Sequence, residues 1–199
     1  MKIGIFGGTF DPPHIGHLTM ADTAMRKFNL DRVYFVPAND PYMKGHKVTP
    51  AGDRLILVGA ACGLDYYPSA CEIIRGGPSY TIDTLRYFQK QFPDAELYLI
   101  VGGDAFNQIN EWKEYEYILN NATIVVFGRP GYVSLDNNTI YAEETERIFP
   151  KAHIEIIPFT LDISSTKIRA AVANGDSFRY LVTTPVYKCI KEMKLYGCV

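Results

Sequence analysis

The sequence has 199 residues, 47% of them hydrophobic and 21% charged, which predicts one globular domain over residues 1–199 with a substantial core. A formal net charge of −2 gives no electrostatic case for non-specific nucleic-acid binding, so a small anionic ligand needs a local positive site. Cys62, Cys71, Cys189 and Cys198 show no C-x-x-C spacing, against disulfides or zinc, and the direct entry into a strand without an apolar membrane-spanning run leads us to expect a cytoplasmic protein away from membranes.

The first predicted element is an apolar strand, Ile3-Gly4-Ile5-Phe6, running into Gly7-Gly8. Thr9-Phe10-Asp11-Pro12-Pro13 then leads to His14-Ile15-Gly16-His17, where a helix is predicted over residues 16–28. Glycines here let backbone approach a ligand, a helix start turns free N–H groups toward it, and the two imidazoles add donors. A second strand is predicted over 32–36. Residues 37–50 hold too many breakers for a regular element and form either a functional lid or a solvated loop, with lysines able to reach an anion. A helix over 51–62, with Leu55, Val58, Gly59 and Cys62 on one side, leads to a strand near 70–74.

Gly76-Gly77-Pro78-Ser79-Tyr80-Thr81 reads as a turn ending in capping residues, with a helix continuing to 92. The strand predicted over 96–101 ends at Gly102-Gly103-Asp104, and Trp112 follows in a short helical or irregular stretch. A strand over 122–127 stops at Gly128-Arg129-Pro130-Gly131. A short helix over 141–149, a strand over 154–158, a helix start at Ser164-Ser165-Thr166-Lys167-Ile168-Arg169 and a last helix over 185–196 complete the chain. Strands alternating with helices predict an α/β fold: a Rossmann-like, doubly wound, mainly parallel sheet with helices on both faces. Strand ends such as Gly7-Gly8 and Gly102-Asp104 then fall along one edge, where an elongated ligand can meet both.

Several of these residues carry two readings. Ser164-Ser165-Thr166 suits an N-cap, but with Lys167 and Arg169 it also suits a polyphosphate. Trp112 suits either a core or a stacking platform. His14 and His17 could be idle surface residues, a metal pair lacking further ligands, or donors to a phosphate; in the last case one fixed donor is worth about 3–4 kcal/mol at the transition state.

The string Gly8-Thr9-Phe10-Asp11-Pro12-Pro13-His14-Ile15-Gly16-His17 resembles the GxFDPxHxGH signature of nucleotidyltransferases. Gly77–Leu85, Gly103-Asp104 with Trp112, Gly128–Gly131 and Ile163–Arg169 are similar, in order, to motifs of the bacterial nicotinate-mononucleotide adenylyltransferases. The resemblance implies transfer of AMP from ATP to nicotinate mononucleotide with release of pyrophosphate. It implies that Gly8, Thr9 and Phe10 line the nucleotide cleft, that His14 and His17 hold the ATP phosphates, and that Gly16 admits adenine. On the same resemblance, Asp104 would face the adenosine, while Ser165, Thr166 and Arg169 would bind the departing pyrophosphate. The resemblance also implies that Tyr80, Thr81 and Trp112 form the pyridine site and that Lys44, where the family's Pro-Pro-His-Lys is replaced by Pro41-Tyr42-Met43-Lys44, or else Lys47, reaches a phosphate. No dedicated carboxylate cluster is visible, so Mg²⁺ is expected to arrive on the triphosphate and no metal site on the protein is predicted. The alternatives are another phosphate-monoester acceptor such as 4′-phosphopantetheine, or a nucleotide sensor without turnover. The choice between nicotinate and nicotinamide stays open, and a homo-oligomer is compatible with the sequence.

Overall fold

The computed structural model describes residues 1–41, 48–128 and 134–198, apart from the side chains of 134–136. The elements are β1 (Lys2–Gly8), α1 (Ile15–Phe28), β2 (Arg32–Pro37), α2 (Ala51–Cys62), β3 (Tyr67–Pro68), α3 (Cys71–Arg75), α4 (Thr81–Gln91) and β4 (Glu96–Gly102). They continue with α5 (Gly103–Phe106), α6 (Tyr115–Asn121), β5 (Thr123–Gly128), α7 (Ser134–Ile148), β6 (His153–Pro158), α8 (Ser165–Ala173) and α9 (Thr184–Glu192). Short 3₁₀ turns occupy Ile109–Glu111 and Leu195–Gly197.

The described strands form one six-stranded sheet in the order β3-β2-β1-β4-β5-β6, and every pairing is parallel. This is the Rossmann-like, doubly wound α/β arrangement. Its strand order reverses between β1 and β4, which pair in register as Ile5 with Leu99 and Phe6 with Ile100. Connections leave those two strands in opposite directions, opening a crevice beyond their carboxyl ends.

Side chains alternate across the sheet with the pleat. Leu97, Leu99 and Val101 of β4, with Ile124 and Val126 of β5, pack on one face against Ile82, Leu85 and Phe88 of α4 and Ile118 of α6. Tyr98, Ile100, Val125 and Phe127 face the other way, toward Met20, Ala21 and Ala24 of α1 and Val58 of α2. A third cluster seats α8 and α9 on α2 through Leu57, Ala61, Ile168, Val172, Val186 and Ile190. That packing brings the chain's end back toward β1. The cysteines are free thiols, and burial pushes the Cys62 thiol up to about 12. No helix among the described residues is long and apolar enough to cross a membrane.

Three predicted elements differ. The segment expected as a strand over 70–74 is the helix α3, and the strand is only Tyr67–Pro68 just before it. At this sheet edge Ile74 is 83% exposed, so the segment lacks the two buried faces that a strand of its composition would need. The helix predicted over 141–149 starts earlier, at Ser134. The last helix stops at Glu192, because Lys194 and Tyr196 take φ values of 51° and 59° and turn the chain inward. In α2, Arg54, Leu57, Val58, Ala61 and Cys62 are the buried residues, while Leu55 and Gly59 are half-buried, so the inward face is rotated from the expected one.

Candidate active site

Two cavities adjoin at the crevice and share Gly7, Thr9, Gly102 and Ala105 as a common wall. The larger, about 390 Å³, is lined by His14, Gly16, His17, Asp104, Ser165, Thr166 and Arg169 among others. The smaller, about 250 Å³, is lined by Gly8, Glu72, Tyr80, Thr81, Thr84, Trp112 and Lys113. Most residues predicted for the site therefore meet at one place, divided between a polar chamber and a more aromatic one.

His14 is the N-cap of α1, and His17 stands one turn along at the third helical position. The backbone N–H of His14 donates to Nδ1 of His17 at 3.2 Å. An imidazole whose Nδ1 accepts carries its proton on Nε2 when neutral, so this bond selects the tautomer that can donate from the far side of the ring. The two rings stack at 3.6 Å between centroids with an interplanar angle of 22°. Both imidazoles are thus oriented by contacts that exist before any ligand enters.

Phe10 corrects the expectation that it lines the cleft. Its φ of 50° folds the side chain back beneath the loop, leaving it 2% exposed against Phe6 and Phe35. Its ring stands T-shaped to that of His17 with centroids 5.0 Å apart, so it supports that imidazole from below. Gly8 has no side chain because a Cβ there would approach the Phe10 ring to 2.9 Å.

Gly16 also has a local reason to be glycine. A Cβ at this position would lie 3.0 Å from Nδ1 and 3.1 Å from Cε1 of His14, against that edge of the ring. Gly16→Ala is therefore expected to displace His14 and lower turnover about 10- to 100-fold, the range of one misplaced donor, while changing Tm little. Steady-state rates beside a thermal melt check this; a large fall in Tm with unchanged kcat would contradict it.

Opposite the histidines, α8 begins with Ser164, whose Oγ accepts the N–H of Lys167. The cap reading of Ser164 is thus correct, while Ser165 and Thr166 in the first turn line the cavity. Ser165 Oγ donates to the Pro12 carbonyl at 2.8 Å, and Arg169 Nη1 donates to the Asp11 carbonyl at 2.8 Å. Guanidinium has five N–H donors, so donors remain for an anion after these contacts. Lys167 does not join them: its ammonium pairs at 2.6 Å with Asp162 on the surface. The cavity's carboxylates are Asp104, exposed in the first turn of α5, and Asp11, which is engaged elsewhere. Lys44 and Lys47, like Arg129, lie outside the described residues.

The aromatic chamber is built by the turn before α4 and the stretch after α5. Trp112 packs against the core, as one of its two readings expects, and it also lines the cavity. Lys113 sits over the Tyr80 ring at 4.7 Å and is the cation among the described lining residues. Glu72, 6% exposed, accepts from Thr84 Oγ1 at 2.5 Å. Burial pushes its carboxyl up, partly offset by the hydroxyls of Ser79 and Thr84. Ser79 Oγ accepts from the Asn39 N–H at 2.8 Å, tying this turn to the end of β2.

Sequence reasoning missed Glu72, Lys113, Arg54 and Tyr196. Glu72 was hidden by the strand expected over 70–74. Arg54 was missed because the inward face of α2 is rotated from the one expected, and Lys113 adjoins Trp112. Tyr196 had none, since its partner lies 185 residues away.

Residues 5–171 match the family described as cytidylyltransferase-like. Over 200 residues the chain is 39% identical to the probable nicotinate-nucleotide adenylyltransferase of Shouchella clausii, covering 98% of this chain and 97% of that one. It is 40% identical over 202 residues to the Desulfitobacterium hafniense (strain DSM 10664 / DCB-2) protein of the same description, covering 98% and 95%. The chain belongs to the nicotinate-nucleotide adenylyltransferase family. Among solved structures it is similar to Plasmodium falciparum nicotinic acid mononucleotide adenylyltransferase complexed with NaAD, with a TM-score of 0.79 over 100% of this chain and 98% of that one. At 17% identity that likeness concerns the fold, which this nicotinate-nucleotide adenylyltransferase family member shares from end to end.

Proposed function

We infer that this chain transfers the AMP moiety of ATP to nicotinate mononucleotide, giving nicotinate adenine dinucleotide and pyrophosphate, as a cytoplasmic step of NAD biosynthesis. The observation that carries this reading is the shared wall at Gly7, Thr9 and Gly102 between a chamber rich in anion donors and an aromatic one. A triphosphate in the first and a pyridine nucleotide in the second bring acceptor phosphate and α-phosphorus together where the chambers join.

The acceptor phosphate is ionised at neutral pH, so its oxygen attacks the α-phosphorus without a general base. A new P–O bond forms as the bond from the α-phosphorus to the bridging oxygen of the β-phosphate breaks. Catalysis then rests on alignment and on stabilising charge. His14 and His17 at the start of α1 meet the charge on the transferring group, while Arg169 and the first N–H groups of α8 take the charge that develops on pyrophosphate. Mg²⁺ fits this chamber as a companion of the triphosphate. Among the described residues no cluster of three His, Cys, Asp or Glu side chains could hold it, so phosphate oxygens and water would be its main ligands and Asp104 the nearest free carboxylate. When bound, the ion neutralises part of the triphosphate charge.

Pyrophosphate release measured in parallel with nicotinate mononucleotide, nicotinamide mononucleotide and 4′-phosphopantetheine tests the reading. Highest kcat/KM with nicotinate mononucleotide is expected; preference for phosphopantetheine, or ATP binding without turnover on any acceptor, would overturn it. Lys113 bears on the choice between acid and amide. An exposed ion pair contributes at most about 1 kcal/mol, so Lys113→Gln should lower kcat/KM for nicotinate mononucleotide roughly fivefold and leave the nicotinamide substrate unchanged. An equal change for both would show that the ammonium does not sense the carboxylate.

A further inference from the structure

We propose that Tyr196, at the far end of the chain, is a positioning residue for adenylyl transfer that acts through Asp11 on Arg169. The proposal rests on the reaction inferred above. Tyr196 Oη donates to Asp11 Oδ1 at 2.7 Å, and the other carboxylate oxygen, Oδ2, accepts the N–H of Thr49 at 3.2 Å. Asp11 is 3% exposed, so its carboxylate depends on these protein donors in place of bulk water. The Asp11 main-chain carbonyl accepts from Arg169, and the adjacent Pro12 carbonyl accepts from Ser165. Asp11 thus faces inward with its side chain and outward with its main-chain carbonyl, which aims Arg169, while the adjacent Pro12 carbonyl aims Ser165.

The fold brings Tyr196 there at some conformational cost. Lys194, Tyr196 and Gly197 all have positive φ, and the 3₁₀ turn they build lies on the C-terminal end of α8, with Gly197 facing Ala173. Burial, and the acceptor role of Asp11 beside it, push the Tyr196 hydroxyl up, so it stays a proton donor throughout the neutral range. Arg54 completes the setting by donating to the carbonyls of Thr49 and Thr9 at 2.8 Å each. Removal of the Tyr196 hydroxyl leaves a buried carboxylate short of a donor, and the way for it to recover one is to rotate, carrying the Asp11 carbonyl away from Arg169.

The test is a double-mutant cycle in the full chain. Tyr196→Phe keeps the ring and removes the hydroxyl. Relative to wild type we expect about a tenfold loss of kcat and about a tenfold rise in the KM for pyrophosphate in the reverse reaction with nicotinate adenine dinucleotide. KM for nicotinate mononucleotide should move less than about twofold. With Arg169→Ala already present, adding Tyr196→Phe should change kcat less than about twofold, because the group it positions is gone. Should Tyr196→Phe not fold, Asp11→Asn weakens the same hydrogen bond with the ring in place and should give the same selective pattern. A lowered Tm with unchanged kinetic constants, or full additivity with Arg169→Ala, would overturn the proposal. Absence of wild-type turnover with nicotinate mononucleotide would instead overturn the inferred reaction, so the two failures are distinct.

Discussion

His17→Ala is expected to lower kcat about 100- to 1,000-fold, while the KM for nicotinate mononucleotide changes less than about threefold. The asymmetry follows from where the imidazole is held. Its Nδ1 is occupied by the His14 N–H, its ring stacks on that of His14 and stands T-shaped to Phe10, so its orientation is set before substrates bind. A donor fixed in advance needs no reorganisation as charge builds on the phosphoryl oxygens, which is why its loss appears in turnover. In the proposed reaction the acceptor's ring would lie in the neighbouring chamber, which Tyr80 and Trp112 line. Pyrophosphate release over a matrix of ATP and acceptor concentrations separates the constants. Equal losses in kcat and in acceptor affinity would remove the transition-state role.

The largest effect on stability is expected at a residue with no part in the chemistry. Arg54 is 1% exposed, and its guanidinium donates to the carbonyls of Thr49, Thr9, Ala38 and Asn39 at 2.6–3.2 Å. These carbonyls belong to the loop after β1, the end of β2 and the segment entering α2, so one side chain holds together the backbone around both chambers. Burial lowers its pKa, with Asp11 and Glu72 among the groups that act in the opposite direction. Arg54→Met keeps much of the volume but leaves the carbonyls without a donor and two nearby carboxylates without their countercharge. The expected cost is about 3–5 kcal/mol, seen in urea unfolding, with a fall in Tm of roughly 10 °C. Arg54→Lys should restore only part of this, since a compact ammonium cannot span the positions that the planar fork reaches. A loss below about 1 kcal/mol in Arg54→Met would mean that water replaces the guanidinium without strain.

Much of the architecture was legible in the sequence because its signals are local. The apolar run of β1 ending at Gly7-Gly8, the helical spacing after His14, the strand ending at Gly102-Gly103 and the cap at Ser164 each depend on residues within a turn or two of one another. The family motifs are local strings as well, and they pointed to the residues that line both chambers. Even the shared edge followed from alternating strands and helices, since parallel strands carry their carboxyl ends on one side.

Other features depended on tertiary contacts between distant parts of the chain. Phe10 belongs to the signature string, yet its φ and the space between Phe6 and Phe35 turn it into the core. Cys71–Arg75 has strand-like composition, but it falls at the sheet edge, where a helix places Glu72 beneath the aromatic chamber. Arg169 meets Asp11 across 158 positions and Tyr196 meets it across 185. By itself the sequence determined most of the elements and the residue types at their ends, because periodicity and capping record each residue's immediate surroundings. Only the tertiary structure decided which ends meet and which way their side chains turn, because those pairings follow from strand order and from the packing of α8 and α9 on α2, neither of which leaves a fixed spacing in the chain.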